Sequence, residues 1–392
     1  MEKKLIKAYS MFLFVFRLGF SFVHATYVLF LLEKGMSFTQ IGVINMCFLV
    51  GMFLFEVPTG IVADTFGRKP STVIGIFVIS FGTLVYGLST TFIFFCVAEL
   101  IVALGSALMS GSLEAWVKSS MMTNGSNKST SEVFLFGEKV GKIGTILGGT
   151  LGAFIGYYNL SLPWFASTVV LVTAGFITIK IIDEDDFQKE EFSFAGWGQH
   201  MKGMCQHSVA VIKSQRNILN LIIVSSLLMA GVQALNMQWS PLFEQKIGYW
   251  LIPYMWAAVQ GSMLLGIVVV NKFSKKNVHD KTLIIYSIVV SAFGVLFSAL
   301  FSNGWIILIF FLTHEFSRGA FLPLEKAYLQ DNIQDEKRRA TIASFESMIV
   351  RAGAGVAWLF SGILADVFEI QTVWLFSSIF IFIAIIFARK LK

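Results

Sequence analysis

Apolar runs recur along this chain at about residues 8–32, 39–63, 71–89, 92–116, 133–158, 162–182, 218–243, 250–271, 282–301, 304–328, 341–365 and 371–388. A helix needs about 20 mostly apolar residues to cross the hydrocarbon core of a bilayer. Twelve such runs predict an all-α membrane protein of twelve transmembrane helices. Composition agrees: 56% of the 392 residues are hydrophobic and 14% are charged, against about 25% charged in soluble domains. The short polar stretches between runs leave no room for a sizeable soluble domain.

The long polar segment at 183–217 opens on an acidic run at 183–186 and divides the spans six and six. It suggests an N-terminal six-helix bundle over 1–182, a cytoplasmic linker, and a C-terminal six-helix bundle over 218–392. Within it Phe194, Trp197, Met201 and Met204 are mixed with Lys202 and Lys213, which suits either an interfacial amphipathic helix or an irregular linker. The basic start followed by the run at 8–32 shows no small-residue cleavage site and reads as a retained first span. Cys47, Cys96 and Cys205 have no disulfide or metal spacing.

Charge sets an expected orientation. With both termini in the cytoplasm, the inner segments hold almost all loop lysines and arginines, and the outer loops hold Lys34 and Lys246. This is the positive-inside bias. It accounts for the net charge of +6 without nucleic acid as a partner. The halves also echo one another. Gly60 to Val62 before Arg68 and Lys69 matches Gly266 to Val268 before Lys275 and Lys276, and Leu113–Glu114 matches Leu324–Glu325.

After the second span come Gly60, Asp64, Gly67, Arg68 and Lys69. Gly60 permits close helix approach, and Gly67 can take the positive backbone angle of a tight turn. Asp64 can cap a helix, and Arg68 can reach a carboxylate such as Glu114. The set resembles the signature loop between the second and third helices of the major facilitator superfamily. That resemblance implies two bundles rocking about a midplane site, with this loop acting as a conformational switch. Phe55 to Gly60, Ser112 to Trp116 and Arg339 to Thr341 resemble a branch of bacterial drug/proton antiporters. The fourth span lacks the arginine usual in proton-coupled members, and the fifth lacks Gly-Pro, so the coupling residue and the direction of transport stay open.

Ionisable groups at bilayer depth are costly, by about 2.5–3.5 kcal/mol on insertion scales, so they are functional candidates by default. Arg17 and Glu56 each sit about 12 Å from a cytoplasmic end at helical rise and make a plausible pair. Glu99 has no local partner, and an isolated carboxylate in apolar surroundings can exchange a proton. Glu315 and Arg318 share a helix face, with His314 beside them. Glu138, Lys139 and Glu346 lie near helix ends. By the resemblance, Arg17, His24, Glu99, His314 and Glu315 line the central cavity, and Glu56, Arg318 and Arg351 join them as proton-coupling or substrate-binding candidates. Gln233, Asn236, Gln238 and Trp239 form a polar–aromatic cluster in the seventh span, either lining the cavity or bonding neighbouring helices. Forty Phe and nine Trp would suit bulky apolar compounds.

No nucleotide, protease or hydrolase motif is complete. The run from Gly137 to Lys142 is one residue short of a phosphate loop, and His314-Glu315 lacks a second histidine four residues on. The expectation is therefore a transporter rather than an enzyme, with no cofactor or metal. Its partners would be a small-molecule substrate, protons and the lipid bilayer, and it would work as a monomer. Drug efflux leads, nutrient symport follows, and a non-transporting sensor or scaffold is the alternative of another class.

Overall fold

The computed structural model describes residues 2–123, 129–182, 215–276, 278–333 and 339–391. The expected linker therefore lies outside the described residues except at its end, where 216–217 already begin a helix. All regular structure among the described residues is helical. The helices are α1 (Glu2–Ser21), α2 (Tyr27–Glu33), α3 (Phe38–Phe66), α4 (Arg68–Leu88), α5 (Phe92–Met109), α6 (Ser112–Thr123), α7 (Thr130–Gly156) and α8 (Leu162–Ile181). They continue with α9 (Arg216–Lys246), α10 (Ile252–Ser274), α11 (Asp280–Leu300), α12 (Gly304–Asn332), α13 (Arg339–Val367) and α14 (Ile370–Ala388).

These fourteen helices make twelve spans, because two expected spans are broken. The first turns at residues 22–26, between α1 and α2, and the fourth turns at Ser110 and Gly111, between α5 and α6. Ten helices among the described residues are apolar and long enough to cross a membrane by themselves. Neither α1 nor α7 is among them. They carry Lys4, Lys7 and Arg17 on one side and Glu132, Glu138, Lys139 and Lys142 on the other.

The chain forms two compact units. The first takes Met1–Met36, Val43–Phe192 and Trp250–Ala257; the second takes Ser37–Gly42, Ser193–Tyr249 and Ala258–Lys392. In the first, α1 packs on α7 and α8, and α4 packs on α5 and α8. In the second, α9 packs on α13 and α14, and α11 packs on α12 and α14. Counted as spans, the pairing is the same in each: first with fifth and sixth, third with fourth and sixth.

Glycines explain the seam between α1 and α7. A Cβ on Gly144 would lie 2.5 Å from the Phe14 carbonyl oxygen, and Cβ atoms on Gly148 and Gly152 would run into the carbonyls of Leu18 and Phe22. Without side chains there, the two backbones touch directly, as small residues allow in membranes.

The start of α3 is held by a side chain from α13. The Asp366 carboxylate accepts from the backbone N–H of Phe38 and of Thr39, each at 2.9 Å. The first N–H groups of a helix have no partner within it, and an acidic cap also meets the positive end of the helix dipole. Asp366→Ala is expected to lower stability by about 1 kcal/mol, the usual worth of such a cap, read as a lower melting temperature of the purified protein.

Candidate functional site

Glu99 sits two turns into α5 and is buried. The expectation that it lacks a partner is corrected. Tyr86, from α4, donates to Glu99 Oε1 at 2.9 Å, and Tyr27, from α2, donates to the same oxygen at 3.0 Å. The two hydroxyl oxygens are 3.1 Å apart. Trp164 of α8 stacks on Tyr86, with ring centroids 4.1 Å apart and planes 2° from parallel. Phe95 and Phe30 extend the aromatic wall around them. A scan for opposite charges passes over tyrosine, which is why the sequence hides this site. Only the break after α1 gives Tyr27 its place on the separate helix α2.

Three oxygens so arranged accommodate either form of the carboxyl group. As a carboxylate, Glu99 accepts both phenol protons, and the contact between the tyrosines has no hydrogen in it. As a carboxylic acid, its own proton can go to Tyr27, Tyr27 then donates to Tyr86, and Tyr86 to Glu99. That ring fills all three contacts by rotating hydroxyls alone.

Arg17 does not pair with Glu56, which is exposed on α3. Its Nη2 instead meets both Glu138 oxygens, at 2.7 and 2.8 Å. The tight α1–α7 seam decides this. Gly141 leaves room for the arginine stem, whose Cδ would lie 2.9 Å from a Cβ there. The side chains of Arg17 and Glu138 are 33% and 50% exposed, so the pair contributes at most about 1 kcal/mol. His24 is exposed. Its ring lies parallel to that of Trp256, 5.9 Å away, and Phe20 meets it edge-on at 5.2 Å. Trp256 is fixed in turn by donating its indole N–H to the Thr145 carbonyl at 3.0 Å.

In the second unit the structure joins two sets of candidates. Arg318 of α12 donates to Glu315 at 3.2 Å, the expected same-face pair, and to the Asn236 side-chain oxygen of α9 at 2.8 Å. The Asn236 amide donates to Gln233 at 2.9 Å, and the Met263 sulfur of α10 lies 3.7 Å from Arg318 Nη2. The result is a chain of Gln233, Asn236, Arg318 and Glu315 across two helices. Its neighbours do other work. His314 is fully buried and shares a 2.8 Å hydrogen bond with Ser291 of α11. Gln238 is fully buried and donates to the Ser361 carbonyl of α13 at 3.2 Å, which ties helices together. Trp239 and Glu346 are buried, and Arg351 is exposed.

At the signature loop Gly67 has φ +108°, the backbone conformation expected of it. Arg68 reaches the start of α6, donating to the Ala115 carbonyl at 2.9 Å. The side chains of Asp64 and Glu114 lie outside the described residues. Lys69 is half-buried. A Cβ on Gly60 would have no neighbour within 4 Å among the described residues.

Against known proteins, the profile of the Major Facilitator Superfamily matches residues 10–323 and 254–392. The MFS-type transporter YxaM of Bacillus subtilis (strain 168) is 22% identical over 376 residues, 92% of this chain and 89% of that protein. Multidrug resistance protein 2 of the same organism is 22% identical over 172 residues, 44% of this chain and 42% of its own. Among solved structures, the nucleoside transporter NupG superposes with a TM-score of 0.78 at 15% identity, covering 99% of this chain and 98% of its own. The human organic anion transporter MFSD10 does so at 0.66 and 14%, covering 99% of each chain. With its twelve spans and its Gly67-Arg68-Lys69 turn in the second loop, the chain is a multi-pass membrane transporter belonging to the major facilitator superfamily.

Proposed function

We propose that this transporter couples the inward movement of protons to the expulsion of hydrophobic or amphipathic drug-like compounds. It would act in the cell membrane by alternating access, with both termini in the cytoplasm. The observation that carries the coupling is the Glu99 carboxyl group, buried and held by two tyrosine hydroxyls at 2.9 and 3.0 Å. Tyr27 belongs to a short helix of its own. Moving α2 by an ångström or so would remove one donor and change the balance between the two protonation states. A bound proton and a conformational change that bias each other in this way are coupled by linkage. The partial likeness to a multidrug resistance protein supports the substrate class.

Everted membrane vesicles with an acid interior test this, with ethidium as the probe. The wild type should accumulate ethidium while the pH gradient stands and stop when it is collapsed. Glu99→Gln, which keeps shape and cannot ionise, should still exchange ethidium across the membrane but fail to concentrate it. Accumulation by Glu99→Gln equal to the wild type would remove Glu99 from the coupling.

A second reading, proton-linked uptake of a small polar solute, is favoured by the network of Gln233, Asn236, Arg318 and Glu315. Its amides and charges suit hydroxyl and amide groups. Uptake of labelled sugars, nucleosides or amino acids by intact expressing cells, with no ethidium export, would select it.

A further inference from the structure

A groove of about 410 Å³ runs between α10, α11 and α12, lined by Val269, Phe273, Val278, Tyr286, Val290 and Phe316 among others. Phe273, Tyr286 and Val290 are exposed, so the groove opens on the flank of the second unit. Its wall serines are already committed to backbone carbonyls, Ser287 donating to that of Leu283 and Ser317 to that of Ser287, which leaves the Tyr286 hydroxyl as the wall's other polar side-chain group. The groove therefore offers a guest hydrocarbon contact and little else. Along α11 it runs from Leu283 to Val290, two turns or about 10 Å at helical rise.

The end of the groove, at Phe273 and Val278, lies where α10 gives way to α11. Lys272, Lys275 and Lys276 are exposed there, with Lys281 half-buried at the second residue of the next helix. Against these four lysines the stretch 271–281 carries a single acid, Asp280, and His279. An apolar slot entered from the bilayer and capped by clustered lysines matches the two ends of one molecule. We propose that the groove binds an anionic phospholipid, with an acyl chain between α10, α11 and α12 and the phosphate among Lys272, Lys275, Lys276 and Lys281. Basic pockets beside membrane helices recognise anionic headgroups electrostatically. A zwitterionic headgroup brings its own ammonium group and gains less.

Native mass spectrometry of the full chain in micelles tests this, with equal amounts of phosphatidylglycerol and phosphatidylcholine of the same acyl chains. The wild type should retain phosphatidylglycerol in preference. Changing the four lysines to glutamine should weaken that retention on the order of tenfold or more. Val290→Trp and Val269→Trp keep the lysines and crowd the groove, and they should also lose the adduct. Equal retention of both lipids, or retention unchanged in the lysine variant, overturns the proposal. So does full retention in a tryptophan variant that purifies as a folded monomer, because the headgroup alone would then account for binding. If neither tryptophan variant folds, lipid preference and the lysine variant decide.

Discussion

Replacing Gly148 and Gly152 together by valine is expected to prevent α1 from seating on α7 and to cost more stability than any other change considered. Overpacking a filled core costs about 1–3 kcal/mol when side chains can shift. Here the obstructing atoms are the backbone carbonyls of Leu18 and Phe22. They cannot rotate away, so the helices must separate. Separation also pulls apart Arg17 and Glu138, which bond across the same seam. The expected result is loss of folded, monodisperse protein after extraction, or a melting temperature far below the wild type. Gly60→Ala supplies the control, because an added Cβ there meets no described side chain or neighbouring helix within 4 Å; its effect should stay within about 0.5 kcal/mol. A double valine variant that melts with the wild type would refute the seam.

Arg318→Ala is expected to be the next most damaging. Glu315 is buried, with a side chain only 3% exposed. Removing the cation takes the guanidinium from that buried carboxyl group and also deprives Asn236 of a donor. Breaking one partner of a buried pair costs about 3–5 kcal/mol, most of it the burden of the charge left behind. The double variant Arg318→Met with Glu315→Gln should recover much of that loss, because it leaves no uncompensated charge. The melting temperatures of the single and double variants check the sign. If the double variant is less stable than Arg318→Ala, the buried-charge account fails. Transport should fall in both, since the polar network is lost in both.

The Glu315–Arg318 pair was legible in the sequence because a helix fixes which residues three apart share a face. The spans were legible because crossing hydrocarbon demands long apolar runs. Gly67 was legible because few residues but glycine turn a chain that way. The partners of Arg17 and Glu99 were not. A soluble helix shows its rotation through a polar stripe, whereas a membrane helix is apolar on its lipid face and its packed face alike. Depth can therefore be read and direction cannot. Glu56 and Glu138 both offered a carboxylate to Arg17, and only the glycines of α7, which draw α1 against it, select Glu138. Tyr27 and Tyr86 were missed for a further reason. They answer Glu99 by hydrogen bonding, and a search for compensating charge does not register a phenol. The breaks after α1 and α5 also went unread: residues 22–26 lack glycine and proline, and Ser110-Gly111, a turn signal with Gly111 at φ +73°, sits inside the otherwise apolar run 92–116.

The account rests on Glu99 taking up and releasing a proton as the transported compound binds. Purified protein in weakly buffered detergent, with a pH-sensitive dye, measures this directly. Ethidium added to the wild type should release protons in proportion to the ethidium bound. Glu99→Gln should bind ethidium and release none. Equal proton release from both proteins would place the coupling elsewhere and contradict the account.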